Sequence, residues 1–259
     1  MKIPLFQIDA FTRKTFGGNP AAVCPLDTWL SDAQMQAIAA ENNLSETAFF
    51  VRDGDHYALR WFTPVVEVDL CGHATLASAF VIFEELAPDL DVVAFETRSG
   101  RLLVQRDGAR LTLDFPSHEA VPCEAPDTLL KGLHQAPCEV LLSRNYLVVY
   151  DTEAKVRALQ PDMILLSQLG RYGVIATAVG DEVDFVSRYF VPSAGIPEDP
   201  VTGSAHCTLT PYWAKHLGKT HFDARQVSAR GGELWCELRG NRVLISGHAV
   251  KYLEGSIRI

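Results

Sequence analysis

The pattern of apolar and polar residues predicts a chain of short strands interrupted by a few helices. Four runs of five or six residues are apolar or alternating and are bounded by turn residues, which predicts strands at residues 46–51, 57–62, 101–105 and 111–115. Ser31 and Gln34 form a capping-box signal, and apolar residues follow them at helical spacing, so residues 31–41 are predicted to be helical. This mixture indicates an α+β fold.

An internal repeat divides the chain into two similar halves. Residues 60–64 (Arg-Trp-Phe-Thr-Pro) match residues 188–192 (Arg-Tyr-Phe-Val-Pro), about half a chain length later. Each copy continues with an acid, a turn of small residues and an apolar helix-like segment: Asp69, 71–74 and 74–86 in the first, and Asp199, 202–205 and 205–217 in the second. Two copies of one strand–loop–helix unit therefore fill the chain.

The repeat predicts two pseudo-symmetric halves, residues 1–117 and 118–259, each a sheet wrapped around one central helix. The central helices are predicted at about residues 73–86 and 204–217. Most of the first helix is apolar on every face, which is typical of a helix enclosed by a sheet. Pro211 lies inside the second helix, and there we expect a kink or a restart of the helix.

The charge balance argues against a nucleic-acid partner. Acidic residues outnumber basic ones, 32 against 23, and no basic cluster forms the footprint that nucleic acid needs. The longest apolar stretch, residues 74–83, is too short to cross a bilayer, and residues 1–4 lead into strand-like sequence without the apolar core of a signal peptide. We therefore expect a soluble cytoplasmic protein with neither a nucleic-acid nor a membrane partner.

The cysteines do not form a recognisable metal or disulfide pattern. The six residues are scattered, without a Cys-x-x-Cys pair and without clustered histidines. We therefore expect free thiols in a reducing compartment, most of them small buried apolar side chains, and no bound metal.

The two small-residue turns each place a glycine before an apolar helix. Gly72 and Gly203 would let a ligand approach the backbone, where the first helical amides and the helix dipole attract an anion. The simpler alternative is that these glycines only permit tight turns between strand and helix. Because the turn occurs twice with the same flanking pattern, we favour an anion site in which both helix starts face one cleft.

Four segments carry the most specific signal in the sequence: 18–23 (GNPAAV), 43–49 (NLSETAF), 71–75 (CGHAT) and 195–206 (GIPEDPVTGSAH). In the same order, they resemble the motifs of the PhzF family, the phenazine-biosynthesis-like proteins, which share their fold with diaminopimelate epimerase. The resemblance implies two pseudo-symmetric halves, each a β-barrel-like mixed sheet around a central helix, with the active site between them. It also implies a homodimer and a cofactor-independent isomerase.

The same resemblance assigns roles to particular side chains. Glu46 matches the acid/base of the phenazine enzyme, which isomerises a dihydro-hydroxyanthranilate by moving a proton between ring carbons. His73, Asp199 and Ser204 match the residues that assist it. The turns that would bind a small anionic carboxylate substrate are formed by Gly72, Ala74, Thr202 and Gly203.

Glu46 and His73 each have a structural alternative to the catalytic role. Glu46 is flanked by Leu44, Ala48 and Phe49, and a partly desolvated carboxyl group can exchange protons near neutral pH. The alternative is an exposed acid at a strand end. His73 is either a donor that polarises the substrate or a polar residue at a helix start.

Asp199 and Ser204 are open to the same two interpretations. Pro200 favours an extended backbone at Asp199, which suits an acid presented from a loop into a cleft, but a turn or capping acid fits as well. Ser204 is also an N-cap candidate, and both roles can be filled at once.

The residues at the two turns distinguish two kinds of proton chemistry. A cofactor-free two-base epimerase needs a thiol at each pseudo-symmetric turn, whereas this chain has Cys71 and Thr202 there. A threonine hydroxyl is too weak an acid and base for that work, which favours single-site transfer through Glu46 and a packing role for Cys71. Two alternatives remain: a non-catalytic binding or interaction protein of the same fold, and an amino-acid racemase or epimerase.

Overall fold

The computed structural model describes residues 1–259 and separates them into two compact units. The first unit consists of residues 1–114 together with 246–259, and the second of residues 115–245. The sequence predicted a division between residues 117 and 118, with everything after it in the second half. The structure differs because the last segment belongs to the first unit.

The elements of the first unit include those that the residue pattern predicted. They are β1 (Lys2–Ala10), β2 (Asn19–Leu26), α1 (Asp32–Asn42), β3 (Glu46–Asp53), β4 (His56–Phe62), β5 (Glu67–Val68), α2 (Gly72–Val81), β6 (Val92–Thr97), β7 (Gly100–Asp107) and β8 (Arg110–Pro116). The four predicted strands are confirmed. So is the capping box of α1, in which Ser31 accepts from the Gln34 N–H while the Gln34 side chain accepts from the Ser31 N–H.

The sheet of the first unit is mixed and packs around α2. Strands β1 and β2, β3 and β4, and β6 and β7 pair antiparallel, whereas β2 and β3, and β4 and β6, pair parallel. Every residue of α2 except Phe80 is buried, and the helix packs against β1, β2 and β3. A further helical segment, Ile82–Leu86, continues α2. This is the enclosed apolar helix that the sequence predicted.

The second unit repeats the plan of a mixed sheet and one long buried helix. Its elements are β9 (Val121–Pro122), α3 (Asp127–Leu133), β10 (Glu139–Leu142), β11 (Tyr146–Val149), α4 (Glu153–Ala158), α5 (Met163–Ser167), β12 (Val174–Val179), β13 (Phe185–Val191), β14 (Ile196–Asp199), α6 (Gly203–Leu217), β15 (His221–Gln226), β16 (Gly232–Arg239) and β17 (Arg242–Gly247). The α+β fold with a central helix in each half is therefore confirmed. None of the helices in the chain has the length and apolar content that a membrane crossing requires.

The last strand, β18 (Ala249–Arg258), explains why the chain end belongs to the first unit. It runs antiparallel to β1, with Lys2 opposite Arg258 at one end and Ala10 opposite Ala249 at the other. Pairing between the first and last strands is a long-range contact, and neither strand alone indicates it.

The central helix of the second unit passes through Pro211 as one continuous helix, so of the two expected outcomes, a kink or a restart, the restart does not occur. Proline lacks the N–H that would bond to the Cys207 carbonyl one turn earlier. The His118 backbone N–H donates to that carbonyl at 2.9 Å. The hydrogen bond lost to proline is therefore replaced from outside the helix.

The internal repeat is present in three dimensions as β4–β5–α2 and β13–β14–α6. In each copy the strand arginine makes two parallel hydrogen bonds to a glutamate on the next short strand. Arg60 donates to Glu67 at 2.7 and 2.8 Å, and Arg188 donates to Glu198 at 2.7 and 2.8 Å. Bidentate pairs of this kind fix direction as well as distance, so they hold the two strands of each copy in register.

The strand register corrects one equivalence that the sequence suggested. Trp61 lies opposite Val68, and the matching Tyr189 lies opposite Asp199. The counterpart of Asp199 is therefore Val68, not Asp69, which is exposed. The connection that contains Pro192–Ala194 is longer than the turn in the first copy, as the pairs Phe62–Glu67 and Phe190–Glu198 show, and the acids of the two copies still fall at different register positions after it.

Candidate active site

Glu46 is the first residue of β3, and the preceding turn determines where its side chain lies. Helix α1 ends at Asn43, which adopts the left-handed conformation (φ 50°) and donates its N–H to Ala39 O. Asparagine is one of the few residues that tolerate this helix-ending conformation. The Glu46 side chain is 13 % exposed. The alternative of an exposed acid at a strand end does not describe this side chain.

His73 is the second residue of α2 and is buried. Its Nε2 lies 3.1 Å from Glu46 Oε2. The two atoms are close but not aligned for a hydrogen bond, and neither has another hydrogen-bond partner. Buried polar atoms without a partner are rare and costly, so such a pair calls for an explanation. A polar atom of a bound substrate would supply the missing contacts.

Asn19 holds the opposite side of the His73 ring, with its amide nitrogen 3.2 Å from Nδ1. The amide donates to a neutral ring through nitrogen and, if turned over, accepts from a charged ring through oxygen. Either orientation leaves a proton on Nε2, the ring nitrogen that lies 3.1 Å from Glu46 Oε2. Asn19 lies in the 18–23 motif, but the sequence alone did not indicate a role for it.

The position of Asn19 depends on Gly18. Gly18 has φ 63°, and a side chain there would place its Cβ 2.1 Å from the Ala10 carbonyl oxygen. Only glycine fits this close approach of β2 to β1 without strain. A glycine directly before a polar residue at a strand start was the signal that could have identified Asn19.

Burial and the neighbouring groups act in opposite directions on the pKa of His73. Burial disfavours the charged ring, but the Cys71 sulfur and the Glu46 carboxylate act in the opposite direction, and the pKa of His73 is raised well above its ordinary value. Burial, followed by the Glu46 charge, raises the pKa of the Cys71 thiol to about 11 despite the opposing effect of His73. Because the thiol keeps its proton at neutral pH, Glu46 provides the negative charge that favours protonated His73.

Cys71 completes a group that could also hold a metal ion. Its sulfur lies 3.5 Å from His73 Nδ1, and the ligand atoms of Glu46, Cys71 and His73 all lie within 4.8 Å of one another. The sequence predicted no metal here. A chelator experiment distinguishes metal chemistry from direct proton transfer.

Asp199 and Thr202 form the corresponding group in the second unit. Asp199 ends β14 and is buried, and the Thr202 hydroxyl donates to its Oδ2 at 2.5 Å. Gly203 begins α6, as Gly72 begins α2. Neither N-cap side chain, Cys71 or Thr202, makes a capping hydrogen bond. The first-turn amides of both helices are therefore not capped by these side chains, which suits the anion-binding role expected at Gly72, Ala74 and Gly203. The N–H of Thr202, the fourth residue expected to bind the anion, already donates to Gln226 Oε1 at 2.8 Å.

Ser204 is exposed and lies inside the first turn of α6. The N-cap position belongs to Thr202, so the prediction that Ser204 is the N-cap is wrong. The structure leaves its hydroxyl accessible at a helix start. The catalytic interpretation of Ser204 stays a prediction.

The comparisons with known proteins point to one family and cover all or nearly all of the chain. A family model described as phenazine biosynthesis-like protein matches residues 8–255. An isomerase of Pseudomonas aeruginosa, itself described as uncharacterized, is 55% identical over 260 residues and covers 100% of both chains. The crystal structure of a PhzF family phenazine biosynthesis protein from Enterococcus faecalis has a TM-score of 0.97 at 46% identity, again covering 100% of both chains.

A more distantly related protein has a similar fold. A predicted epimerase of Pseudomonas aeruginosa has a TM-score of 0.76 at 20% identity and covers 99% of both chains. Identity this low supports the fold alone, which is the epimerase-like fold that the family resemblance of the motifs implied. Because the family model spans most of the chain and close relatives match it end to end, the chain belongs to the phenazine biosynthesis-like (PhzF) family.

Proposed function

We propose that this protein is a cofactor-independent isomerase that moves a proton within a small anionic carboxylate substrate, with Glu46 as the acid/base. The observation that carries the proposal is the Glu46–His73 pair, whose facing oxygen and nitrogen are 3.1 Å apart, buried and without other hydrogen-bond partners. A carboxylate beside a histidine, in a site that excludes water, is suited to accept and return a proton. Relatives named isomerases support the reaction class.

The proton would travel from carbon to carbon through one carboxylate. Glu46 removes a proton from one substrate carbon, and the electron pair left behind is delocalised into the substrate. Protonated Glu46 then returns the proton to a different carbon, so that substrate and product differ only in the position of a C–H bond. His73, which holds a proton on Nε2, stabilises the negative charge that develops on the substrate.

The substrate carboxylate would bind at the start of a central helix. No capping side chain competes for the first-turn amides at Gly72 and Ala74, or for those at Gly203, so each helix start could hold an anion. This lets a protein with a net charge of −9 hold an anion through local dipoles. Asp199, Thr202 and Ser204 are proposed to assist the same reaction, as the sequence resemblance implies.

The two other functions make different predictions. A racemase or epimerase that uses Cys71 requires an ionised thiol, and the raised pKa of about 11 argues against one. Alkylation of the thiol would abolish such an activity. A non-catalytic binding protein would bind carboxylates without exchanging their protons. The intact pair of Glu46 and His73 favours catalysis over this alternative.

Two further properties follow from the family resemblance. We propose that the protein is a homodimer located in the cytoplasm. Analytical ultracentrifugation at micromolar concentration should give twice the chain mass of 28.5 kDa. A single species at the chain mass would contradict the dimer.

Deuterium wash-in tests the proposed function. The protein is incubated in heavy water with a panel of cyclic and acyclic carboxylates that includes dihydro-hydroxyanthranilate, and label incorporation is followed by mass spectrometry. The wild-type protein should label at least one compound, and Glu46→Gln should not. Glu41→Gln is the matched control, because Glu41 is an exposed glutamate near the end of α1.

The possible results separate the three functions. Binding of a panel compound without any exchange would favour the non-catalytic protein. Full exchange by the folded Glu46→Gln variant would remove Glu46 from the mechanism. Exchange that stops on alkylation of Cys71 would favour the racemase.

A further inference from the structure

Gln226 has a buried side chain with both ends of its amide engaged, and no role has been assigned to it. It is the last residue of β15 and is 1% exposed. Its Oε1 accepts from the Thr202 backbone N–H at 2.8 Å. Its Nε2 donates to the Asp199 carbonyl oxygen at 2.7 Å and to the Thr202 hydroxyl oxygen at 3.2 Å. One side chain therefore joins both ends of the 199–202 segment.

The chemistry of these partners fixes the direction of every hydrogen bond in the group. A backbone N–H can only donate and a carbonyl can only accept, so the amide of Gln226 has one allowed orientation. Its nitrogen must then donate to the Thr202 hydroxyl. The hydroxyl proton is left to point at Asp199 Oδ2, 2.5 Å away. The result is a chain of two hydrogen bonds, in which Gln226 donates to Thr202 and Thr202 donates to the Asp199 carboxylate. We call this chain the relay.

The surrounding contacts keep the same segment rigid. Ser228 donates its hydroxyl to the Pro200 carbonyl at 2.8 Å. His206 lies 2.8 Å from the Thr202 carbonyl through Nδ1, and burial lowers its pKa to about 4, so it is a neutral donor at physiological pH. Because both neighbours hold the backbone, loss of the Gln226 side chain should change the direction of Asp199 before it unfolds the loop.

The ionisable groups near Asp199 in its own unit do not replace the relay. Tyr189 lies opposite Asp199 on β13, and its pKa is raised by burial and by the Asp199 charge, so it stays neutral. Glu198, the preceding residue, is held by Arg188. On α6, the nearest titratable ring is the neutral His206. The Thr202 hydroxyl donates to Asp199, and Gln226 orients that hydroxyl.

We propose that Gln226 is a positioning residue that acts through the Thr202 hydroxyl to orient the Asp199 carboxylate as a hydrogen-bond acceptor. The proposal rests on the proposed function in one respect: the effect on turnover requires that Asp199 assists the reaction. Gln226 itself does not contact the substrate. Its loss should lower kcat more than it changes KM, because the amide orients Asp199 and contributes no binding contact of its own.

A double-mutant cycle tests the relay. Gln226→Met keeps the length of the side chain and removes both amide functions, and Thr202→Val keeps the shape and removes the hydroxyl. Each single variant should lower kcat on the order of tenfold, as loss of an orienting partner does at other sites. The double variant should be no slower than the slower single variant, because both changes break the same relay. Thr202→Ser should restore the rate.

Three controls separate the relay from a merely structural role. Gln160→Met makes the same substitution at an exposed glutamine of the same unit and should leave kcat unchanged. Circular dichroism and thermal unfolding show whether Gln226→Met is folded at the assay temperature. The carbon-13 resonance of the Asp199 carboxyl, assigned with Asp199→Asn, should titrate at higher pH in Gln226→Met and Thr202→Val than in the wild type and Thr202→Ser.

The titration is measured without substrate, so it tests the relay even if no exchange activity is found. Effects that multiply in the double variant would overturn the proposal. So would an unchanged carboxyl titration, or a rise in KM with kcat unchanged. Failure of Glu46→Gln to affect exchange would overturn the proposed function and leave the relay standing.

Discussion

The two copies of the repeat share their scaffold and differ in their reactive groups. Both hold a strand arginine against a glutamate with two hydrogen bonds of 2.7 and 2.8 Å, and both begin a buried helix with glycine. At the helix starts the first copy has Cys71 and His73, and the second has Thr202 and Ser204. The two copies therefore share the residues that set the backbone and differ in the side chains to which we assign the chemistry.

This difference assigns unequal work to the two units. The first unit places an ionisable pair, Glu46 and His73, where both groups can exchange protons. In the second unit, the Asp199 carboxylate accepts from the Thr202 hydroxyl, which in turn accepts from the Gln226 amide. Neither of these two groups is ionisable, so they can only orient the carboxylate. We therefore expect proton transfer to depend on the first unit and orientation to depend on the second.

The largest expected effect compares the acids of the two units. Glu46→Gln should lower the exchange rate by about 10³, within the range for loss of a general acid/base, whereas Asp199→Asn should lower it about tenfold. Steady-state exchange with the best compound of the panel measures both variants. A larger loss for Asp199→Asn than for Glu46→Gln would reverse the assignment.

The next effect concerns the two scaffold arginines. Arg188→Met should destabilise the protein by about 3 kcal/mol, because it leaves a partly buried Glu198 and removes the donor to three carbonyls at the end of α4, those of Val156, Arg157 and Leu159. Arg60→Met should destabilise it by about 1–2 kcal/mol, since Arg60 bonds to carboxylates alone. Urea unfolding measures the difference. Equal losses would mean that the carbonyl contacts contribute nothing.

A pH-dependent effect is expected only in the first unit. The pKa of folded His73 is raised above its ordinary value of 6.5, so the contribution of its charged form to stability is fully present below pH 6.5. It is lost as the pH rises through the raised value. Glu46→Gln removes the charge that causes the shift, so its stability deficit relative to the wild type should shrink as the pH rises above 6.5. A deficit independent of pH would contradict the charged pair.

The smallest effect is expected at Cys71. Because its thiol stays protonated, Cys71→Ser should change the exchange rate by less than about threefold, and a chelator should leave the wild-type rate unchanged. A loss of 100-fold or more in Cys71→Ser would indicate thiol chemistry. Inhibition by the chelator, reversed by added zinc, would indicate a metal held by Glu46, Cys71 and His73.

Local patterns in the sequence predicted several of the elements and singled out Glu46 and His73. The apolar run of α2, the capping box of α1 and the duplicated strand–turn–helix all depend on neighbouring residues, and the structure has them. The family motifs identified Glu46 and His73, and the structure brings these two side chains together. These features could be predicted because each depends on residues that lie close together in the sequence.

The features that the sequence did not predict depend on contacts between distant residues. β18 joins β1 across the whole length of the chain, and His118 supplies the hydrogen bond that Pro211 cannot make. Gln226 reaches Thr202 and Asp199 from a strand that follows the helix, outside every motif. The strand register makes Val68 the counterpart of Asp199, so the acids that follow the two repeated strands, Asp69 and Asp199, are not equivalent.

Transfer of label within a single turnover tests the central claim most directly. The panel carboxylate that exchanges fastest is prepared with deuterium at the carbon that loses its proton, and it is converted in ordinary water by an excess of protein. A lone carboxyl group that removes and returns the proton predicts that part of the deuterium appears at the new carbon of the product. Product that carries no transferred deuterium, with its configuration inverted at the original carbon, would contradict the account and indicate two separate bases.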